Sequence, residues 1–303
     1  MIFSVAGVIS MGWHWAHIGS PVPLGVDFRG GTQVTVQFTQ PPDMNRIRGA
    51  IDAAGIKNAT ISSFGETADH EVLIGLPEQM NETALDVGRT EIEGALRSHY
   101  TSNFDVRSVQ VVGPTVGRQL EKQALLATLY SLLGMLVYLW FRFQLIYGVA
   151  AVVACFHDTL ITVGAFSLAS SFGFSDLELS LTVIAAILTL VGYSMNDTIV
   201  VFDRIRENLR LTRREPLPDL VNRSINQTLS RTVLTSGLTF LTVLSLFIFG
   251  GQVLKGFSFA LVVGILIGTY SSIAVASPML VAWQEWRAKK GKVTVLPAAR
   301  RAR

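Results

Sequence analysis

A carboxylate lies inside an apolar run that is long enough to cross a lipid bilayer. The run from Ser180 to Phe202 reads SLTVIAAILTLVGYSMNDTIVVF and contains Asn196 and Asp197. Placing an aspartate in hydrocarbon costs at least ~2.5 kcal/mol, so such residues face a bundle interior or a water-filled cavity and are functional by default. The sequence therefore predicts that Asp197 is functional, and proton exchange is the chemistry that a carboxylate supports in a membrane.

The carboxylate of Asp197 needs a cation or water close to it. Arg204 lies on the same helical face but about 10 Å away along the helix axis. Arg231 begins the next apolar segment and enters the membrane from the same side, so we expect Arg231 to be the partner. If the arginine moves away when the carboxylate takes a proton, the pair converts proton flow into motion. The alternative is a static buried ion pair that only fixes the helix register.

Several other polar residues lie in or beside the apolar runs. His157 and Asp158 are adjacent in CFHDTLITVG, where they could relay protons or simply contact a neighbouring helix. Asn196 is expected to hydrogen-bond a neighbouring helix, an interaction worth ~0.6–2 kcal/mol. Asp203 lies about 240° around the helix from Asp197 and is expected at the membrane interface.

The chain lacks the motifs of the common enzyme and metal sites. There is no G-x-x-x-x-G-K-[ST] phosphate loop, no H-E-x-x-H, no G-x-S-x-G and no second cysteine beside Cys155. We therefore expect no enzymatic activity, no cofactor and no metal. Work done by such a chain must draw on another supply, such as the transmembrane potential, worth ~2.3 kcal/mol per charge per 100 mV.

Composition places the chain among membrane proteins. Hydrophobic residues make up 50% of it and charged residues only 16%, against about 25% charged residues in soluble domains. Hydropathy predicts six transmembrane helices. They are Ile2–Ile18, Ala124–Phe143, Leu145–Phe172, Leu179–Phe202, Thr232–Phe249 and Phe257–Trp283.

The first segment begins at Met1 without a basic flank. A signal peptide is the competing interpretation, but the segment lacks both a positively charged n-region and an A-x-A cleavage site. We therefore expect a helix that is retained in the mature protein.

The positions of lysine and arginine predict the orientation. Residues 203–231 contain seven arginines and the tail after Trp283 contains seven lysines and arginines, whereas the short connections 173–178 and 250–256 contain only Lys255. Both termini are therefore expected in the cytoplasm. The predicted divisions are a first helix (1–18), an extracytoplasmic domain (19–123), a five-helix transmembrane domain (124–283) with a cytoplasmic loop (203–231), and a basic cytoplasmic tail (284–303).

The segment 19–123 has the pattern of a small soluble domain. Strands are predicted at Gln33–Thr39, Ala59–Gly65, Glu71–Leu76 and Phe104–Val112, and helices at Pro42–Ala54 and Asn81–Ser98, with Asn81 as the N-cap. The order βαββαβ is that of a ferredoxin-like fold. Excluding Glu121 and Lys122 at the membrane edge, the domain has eight basic and twelve acidic residues, so a nucleic-acid partner is not expected.

Two motifs resemble hallmarks of the SecD–SecF family, the auxiliary membrane proteins of the bacterial Sec translocon. The first is VGYSMNDTIVVFDRIREN at Val191–Asn208, and the second is GVDFRGGT at Gly25–Thr32. The resemblance covers nearly the whole chain. It singles out the motif residues Gly25, Asp27, Phe28, Gly30, Gly31 and Thr32.

The resemblance implies a pseudo-symmetric twelve-helix unit related to RND exporters, of which this chain would be one half. It also implies use of the proton-motive force to assist preprotein export at the outer side of the cytoplasmic membrane. SecD, the SecYEG translocon and the translocating preprotein are the implied partners. The family's membrane aspartate and arginine fall on Asp197 and on Arg231 in RTVLTS. A further acidic residue of the proton path is expected from SecD.

Two alternative functions remain from the sequence. One is half of an RND-type small-molecule exporter, which would need a substrate-sized cleft in a much larger outside domain. The other is a non-conducting structural subunit of the translocon, in which Asp197 and Arg231 form a static pair.

Overall fold

The computed structural model describes residues 2–56, 59–64, 69–76, 87–100, 103–174, 177–212 and 215–290. In these residues a bundle of long helices carries a small α+β domain between its first two long helices. The helices are α1 (Ile2–Ile18), α2 (Val26–Arg29), α3 (Met44–Ala53), α4 (Val87–His99), α5 (Pro114–Arg142), α6 (Leu145–Ser171), α7 (Leu181–Leu211), α8 (Leu217–Phe249), α9 (Gly251–Ser271) and α10 (Ser277–Lys289), and the strands are β1 (Gly31–Phe38), β2 (Thr60–Phe64), β3 (Glu71–Leu76) and β4 (Phe104–Val112).

The long helices confirm the predicted helical membrane fold. Among the described residues, five helices are long and apolar enough to cross a membrane: α5, α6, α7, α8 and a last helix in which a π-helical turn, Ser272–Ala276, joins α9 to α10. The first predicted segment forms α1, with 17 residues. It packs against α6, where a Cβ added to Gly7 would lie 3.3 Å from the Cα of Gly164.

The basic segment predicted as a loop, residues 203–231, is mostly helical. Helix α7 continues to Leu211, and α8 begins at Leu217 with a proline in its first turn, where a missing N–H costs nothing. Hydropathy finds only the lipid-crossing part of such helices. Their polar extensions are still held by apolar contacts, because Leu217 and Leu220 join Ile205 in one buried cluster.

The inserted domain has the predicted βαββαβ order. Its antiparallel sheet has the strand order β2-β3-β1-β4, and α3 and α4 cover one face of it. The buried core between them includes Val34, Val36, Ile47 and Ile92. Asp43 caps α3 by accepting hydrogen bonds from two backbone N–H groups. The predicted N-cap Asn81 lies outside the described residues.

Candidate functional site

Asp197 lies on the buried face of α7, with 4% of its surface exposed. Ser194, Thr198 and Val201 share this face, at the three- and four-residue spacing of an α-helix. The hydroxyl of Ser236 on α8 donates a hydrogen bond of 2.7 Å to Asp197 Oδ2. The carboxylate is therefore held inside the bundle between α7 and α8 by a neutral donor.

Arg231 is not in direct contact with Asp197, so the expected close ion pair is wrong for this conformation. Within the described residues no carboxylate oxygen lies within 4.0 Å of its guanidinium, and its side chain is exposed. The reason is helical phase, since α8 turns Thr232 and Ser236 inward and Arg231 lies about 140° around the helix from Ser236. The guanidinium of Arg231 is nevertheless within Coulombic range of the Asp197 carboxylate.

Arg204, the other candidate partner of Asp197, is engaged elsewhere. Its Nε donates to Gln227 at 2.6 Å, and a terminal nitrogen donates to Glu207 at 2.6 Å. Of the two predicted partners of Asp197, only Arg231 therefore has no hydrogen-bond or ion-pair partner for its side chain among the described residues.

A second carboxylate, Asp158 on α6, is completely buried. The hydroxyl of Ser194 donates to Asp158 Oδ2 at 2.6 Å, and His157 Nδ1 lies 3.1 Å from Asp158 Oδ1. Ser194 is one turn before Asp197 on the same face of α7. Both buried carboxylates therefore lie at this face of α7. Asp197 belongs to the helix, and Asp158 is hydrogen-bonded to it through Ser194.

Helix α9 closes this polar region from a third side. The glycines Gly264 and Gly268 let it approach α7, because an added Cβ would collide with Leu190 at the first position and lie 3.0 Å from the Cβ of Ser194 at the second. One turn further, α9 passes into the π-helical turn, whose first residue, Ser272, is fully buried. Such turns are frequent at functional sites.

Asn196 and Asp203 face away from this region. Both are exposed, and the side-chain amide of Asn196 forms no hydrogen bond with the described residues. The helix contact expected for Asn196 is therefore not made within this part of the chain. The exposed side-chain amide of Asn196 and the exposed guanidinium of Arg231 are therefore available to a partner outside the described residues.

The motif Gly25–Thr32 lies at the junction of the inserted domain and the helix bundle. Gly25 is the N-cap of α2, Phe28 is buried, and Gly30 and Gly31 have φ values of 77° and 131°, which favour glycine. Thr32 is buried in β1. Asp27 bonds to the first residue of α7, which is about 24 Å along that helix from Asp197.

Sequence reasoning missed the two serines that hold the carboxylates. The signal for Ser194 was its spacing of three residues from Asp197, which places both on one helical face. Ser236 ends the string RTVLTS that begins at Arg231. Which residue of that string faces α7 depends on how the helices pack, and periodicity in an apolar helix with several hydroxyl residues does not reveal it.

The arrangement suits proton exchange better than group transfer. It provides two buried carboxylates, neutral hydroxyl donors and an arginine within electrostatic reach. Among the described residues, no three His, Cys, Asp or Glu side chains are grouped as metal ligands would be.

Comparison with protein families places the chain among membrane export proteins. Residues 92–286 match the model "Protein export membrane protein SecD/SecF, C-terminal", and residues 18–42 match the SecD/SecF GG motif. A similar curated protein is the protein translocase subunit SecF of Koribacter versatilis, which is 52% identical over 96% of this chain and 90% of the relative.

Solved structures give the same result for the fold. SecDF from Thermus thermophilus, described as a translocon-associated membrane protein, is 40% identical over 94% of this chain, with a TM-score of 0.78. A structure of SecDF in a super-membrane-facing form is 38% identical over 96% of this chain, with a TM-score of 0.67. Both solved chains are longer, and this chain covers 37% and 38% of them.

Proposed function

Because the chain belongs to the SecD/SecF family of protein export membrane proteins and resembles its SecF subunits, we propose that it couples proton flow to preprotein translocation. In this proposal it works with SecD in the bacterial inner membrane and has no enzymatic activity of its own. Asp197 is the proton carrier, and Arg231 is the charge that responds to it.

The buried Asp197–Ser236 contact is the observation that carries the proposal. The Asp197 carboxylate can take up a proton inside the bundle because its hydrogen-bond partner, the Ser236 hydroxyl, is neutral. No buried positive charge is then left without a counterion. When ionised, the same group would attract Arg231, which is near but bonded to no described carboxylate. The two protonation states therefore favour two arrangements of α7 and α8, which is what coupling requires.

The position of Asp158 supports a proton path that involves more residues than Asp197 alone. It is fully buried and lies beside Ser194 on the face of α7 that carries Asp197. His157, in contact with Asp158, is partly exposed and could exchange protons with the outside of the bundle. We propose that this pair takes part in proton transfer and does not only hold α6 against α7.

SecD is the partner that the exposed polar groups require. A guanidinium and an amide are unfavourable against lipid, so Arg231 and Asn196 need a protein surface that offers polar groups. The relatives named SecF and the solved SecDF chains support SecD as that partner. We propose that SecD supplies a carboxylate opposite Arg231.

The orientation rests on charge. Basic residues in the last part of α7, the first part of α8 and the C-terminal tail favour the cytoplasm for that side. The inserted domain is connected at the opposite ends of the helices and would then be extracytoplasmic. There we propose that it contacts a preprotein emerging from SecYEG. A solved SecDF relative in a super-membrane-facing form supports movement of the complex.

The two alternatives fit less well. A small-molecule exporter would need a larger outside domain with an apolar cleft, whereas the described part of this domain has four strands and the three short helices α2, α3 and α4. A static scaffold would be expected to hold Asp197 and Arg231 in contact, and they are not in contact here.

The decisive experiment measures preprotein export in membrane vesicles with and without a proton gradient. The vesicles carry SecD with this chain as wild type, Asp197→Asn or the matched control Asp203→Asn. Asparagine keeps the shape of aspartate and cannot exchange a proton. We expect only Asp197→Asn to lose the gradient-dependent part of the export rate while the complex still assembles.

Normal gradient-dependent export by Asp197→Asn would assign the carboxylate a structural role. Replacing Asp197 and Arg231 together by apolar residues then tests the scaffold directly. A static pair tolerates such a double replacement with little loss of function.

A further inference from the structure

We propose that Asp27 is a positioning residue that fastens the inserted domain to the start of α7, so that a movement of α7 at Asp197 is passed to the domain. The inference rests on the proposed proton coupling and adds the connection by which the domain would respond. It concerns the role of one residue in the motif Gly25–Thr32.

Asp27 contacts the start of α7 directly. Oδ2 of Asp27 accepts a hydrogen bond of 2.9 Å from the N–H of Leu181, the first residue of the helix. The first four N–H groups of an α-helix lack partners within the helix, and a negative charge is favourable there. Ser180, the N-cap residue, accepts from Val183 N–H at 3.4 Å. The helix start is thus capped by its own serine and by a carboxylate from the motif.

Backbone hydrogen bonds strengthen the same connection. Leu24 and Leu179 form a parallel β-bridge. The N–H of Gly25 donates to Leu179 O at 2.8 Å, and the N–H of Leu179 donates to Pro23 O at 2.8 Å. A Cβ on Gly25 would lie 3.2 Å from Leu179 O, so a side chain there would press on the bridge. The chain before α7 is therefore paired with the chain before Asp27.

The other side of Asp27 belongs to the domain. Helix α2, which contains Asp27, leads through Gly30 directly into β1. Gln110 on the edge strand β4 donates to Asp27 Oδ1 at 3.4 Å. The first turn of α5 also contacts α2, since a Cβ on Gly117 would lie 2.7 Å from Phe28 O. Asp27 therefore lies where the sheet, α5 and α7 meet.

A cavity shows that the face of the sheet is not packed on the helices beside this junction. It has a volume of about 610 Å³, lies between the starts of α7 and α9 and the sheet face that carries Gln33 and Thr35, and extends past β2 to Arg48 and Asp52 of α3. Gln33, Thr35 and Ser108 line it from the sheet, and Thr182 and Gly256 from the helices. The domain therefore has space to move against the bundle, and the junction at Asp27 constrains that movement.

Helix α7 can carry a displacement over the required distance. It runs from Leu181 past Asp197 as one α-helix without proline, so the two positions are about 24 Å apart along a continuous rod. A shift or tilt caused at Asp197 reaches Leu181. The carboxylate of Asp27 and the bridge at Leu24 then transmit it to β1 and β4.

The test uses vesicles with the full chain and SecD, and compares Asp27→Ala with Asp43→Ala. Both substitutions remove a carboxylate that caps a helix, but among the described residues the Asp43 carboxylate accepts hydrogen bonds only from N–H groups of α3, within the domain. Two quantities are measured: the gradient-dependent part of preprotein export, and the gradient-induced change in distance between spin labels at Gly49→Cys in the domain and Phe174→Cys after α6. The labelled chains carry Cys155→Ala.

We expect Asp27→Ala to lower the gradient-dependent export rate by about tenfold, within the usual range of coupling between two sites, and to abolish the distance change. Asp43→Ala keeps both. Asp27→Asn has an intermediate effect, because its amide oxygen can still accept from Leu181 N–H. A disulfide from Leu24→Cys and Leu179→Cys, at bridged positions, restores both responses in Asp27→Ala until it is reduced.

Each other outcome has one meaning. If Asp27→Ala keeps both responses, or if the disulfide fails to restore them, Asp27 is not the fastening residue, and the proposed function stands as long as Asp197→Asn loses the response. If Asp197→Asn keeps the response and Asp27→Ala loses it, the proton carrier is wrongly assigned and the fastening role stands. If both variants keep it, both proposals are wrong.

Discussion

Ser236 of α8 donates a hydrogen bond of 2.7 Å to the buried carboxylate of Asp197 on α7, and Arg231, five residues earlier on α8, does not contact that carboxylate. Helix α8 thus carries a neutral donor, Ser236, on the face toward Asp197 and a positive charge, Arg231, on a different face. A rotation of α8 or a change in the Arg231 side chain would replace Ser236 by Arg231 as the partner of Asp197. This relationship leads to predictions that separate the roles of the residues involved.

Ser236→Ala should weaken coupling without removing the carboxylate. A buried acceptor that loses its donor costs about 1–3 kcal/mol, so the conformation seen here is disfavoured by that amount. We expect slower gradient-dependent export while the gradient-independent part is unchanged. Thr235→Ala is the control, since Thr235 is exposed and bonds only to carbonyls of its own helix. Equal effects of both substitutions would mean that the Asp197–Ser236 bond has no special role.

Arg231→Ala should leave this chain folded, but it should fail to respond to the gradient and bind SecD more weakly. Its side chain is exposed and makes no ion pair with a described carboxylate, so little of the stability of this chain depends on it. Arg210→Ala is the matched control, because Arg210 at the end of α7 is also exposed and makes no ion pair with the described residues. Export assays and co-purification with SecD distinguish the two. Loss of SecD binding in Arg231→Ala would assign the residue to the interface.

Asp158→Asn should lower gradient-dependent export if the second buried carboxylate carries protons. The asparagine can still accept from Ser194, so the contact between α6 and α7 is kept. The experiment follows export together with the amount of intact SecD complex. Normal export would show that Asp158 and His157 serve as a helix contact, which is the other interpretation of this pair.

Gly268→Val should disturb the packing of α9 on α7. An added Cβ at this position would be 3.0 Å from the Cβ of Ser194, and overpacking of this kind costs about 1–3 kcal/mol. We expect a lower thermal stability of the detergent-solubilised complex. Gly237→Ala on α8 is the control, because nothing lies within 4 Å of its added Cβ. An unchanged melting temperature for Gly268→Val would show that the close approach is not required.

The sequence predicted the order of elements better than their contacts. Alternating residues in β1 and β4 and the apolar runs of the long helices have a strong periodic signal, and these elements were found. The four-residue helix α2 was missed because it has little more than one turn. Hydropathy assigns the polar ends of α7 and α8 to a cytoplasmic loop, because it responds to lipid and does not detect helix propensity or contacts outside the membrane.

The candidate site shows the same limit at the level of side chains. Asp197 could be singled out because a carboxylate in an apolar run is costly anywhere in the membrane. Its donor could not, because Arg231 and Ser236 are both within two turns and only the rotation of α8 decides which one faces it. A one-dimensional pattern gives the residues of a helix face but not the angle at which that face is presented to another helix.

The π-helical turn at Ser272–Ala276 changes the direction in which the side chains after it project from the last helix. In an unbroken α-helix, Ser272 and Ser277 would project about 140° apart. The wider turn brings them closer to one side, and Ser277 Oγ donates to Ser272 O at 2.8 Å across it. Both serines are fully buried, so the inner stripe of α9 is continued into α10 and is not rotated toward lipid. If this turn tightened to regular α-helix with the same residues, every side chain from Ser277 onward would rotate through roughly a quarter of a revolution.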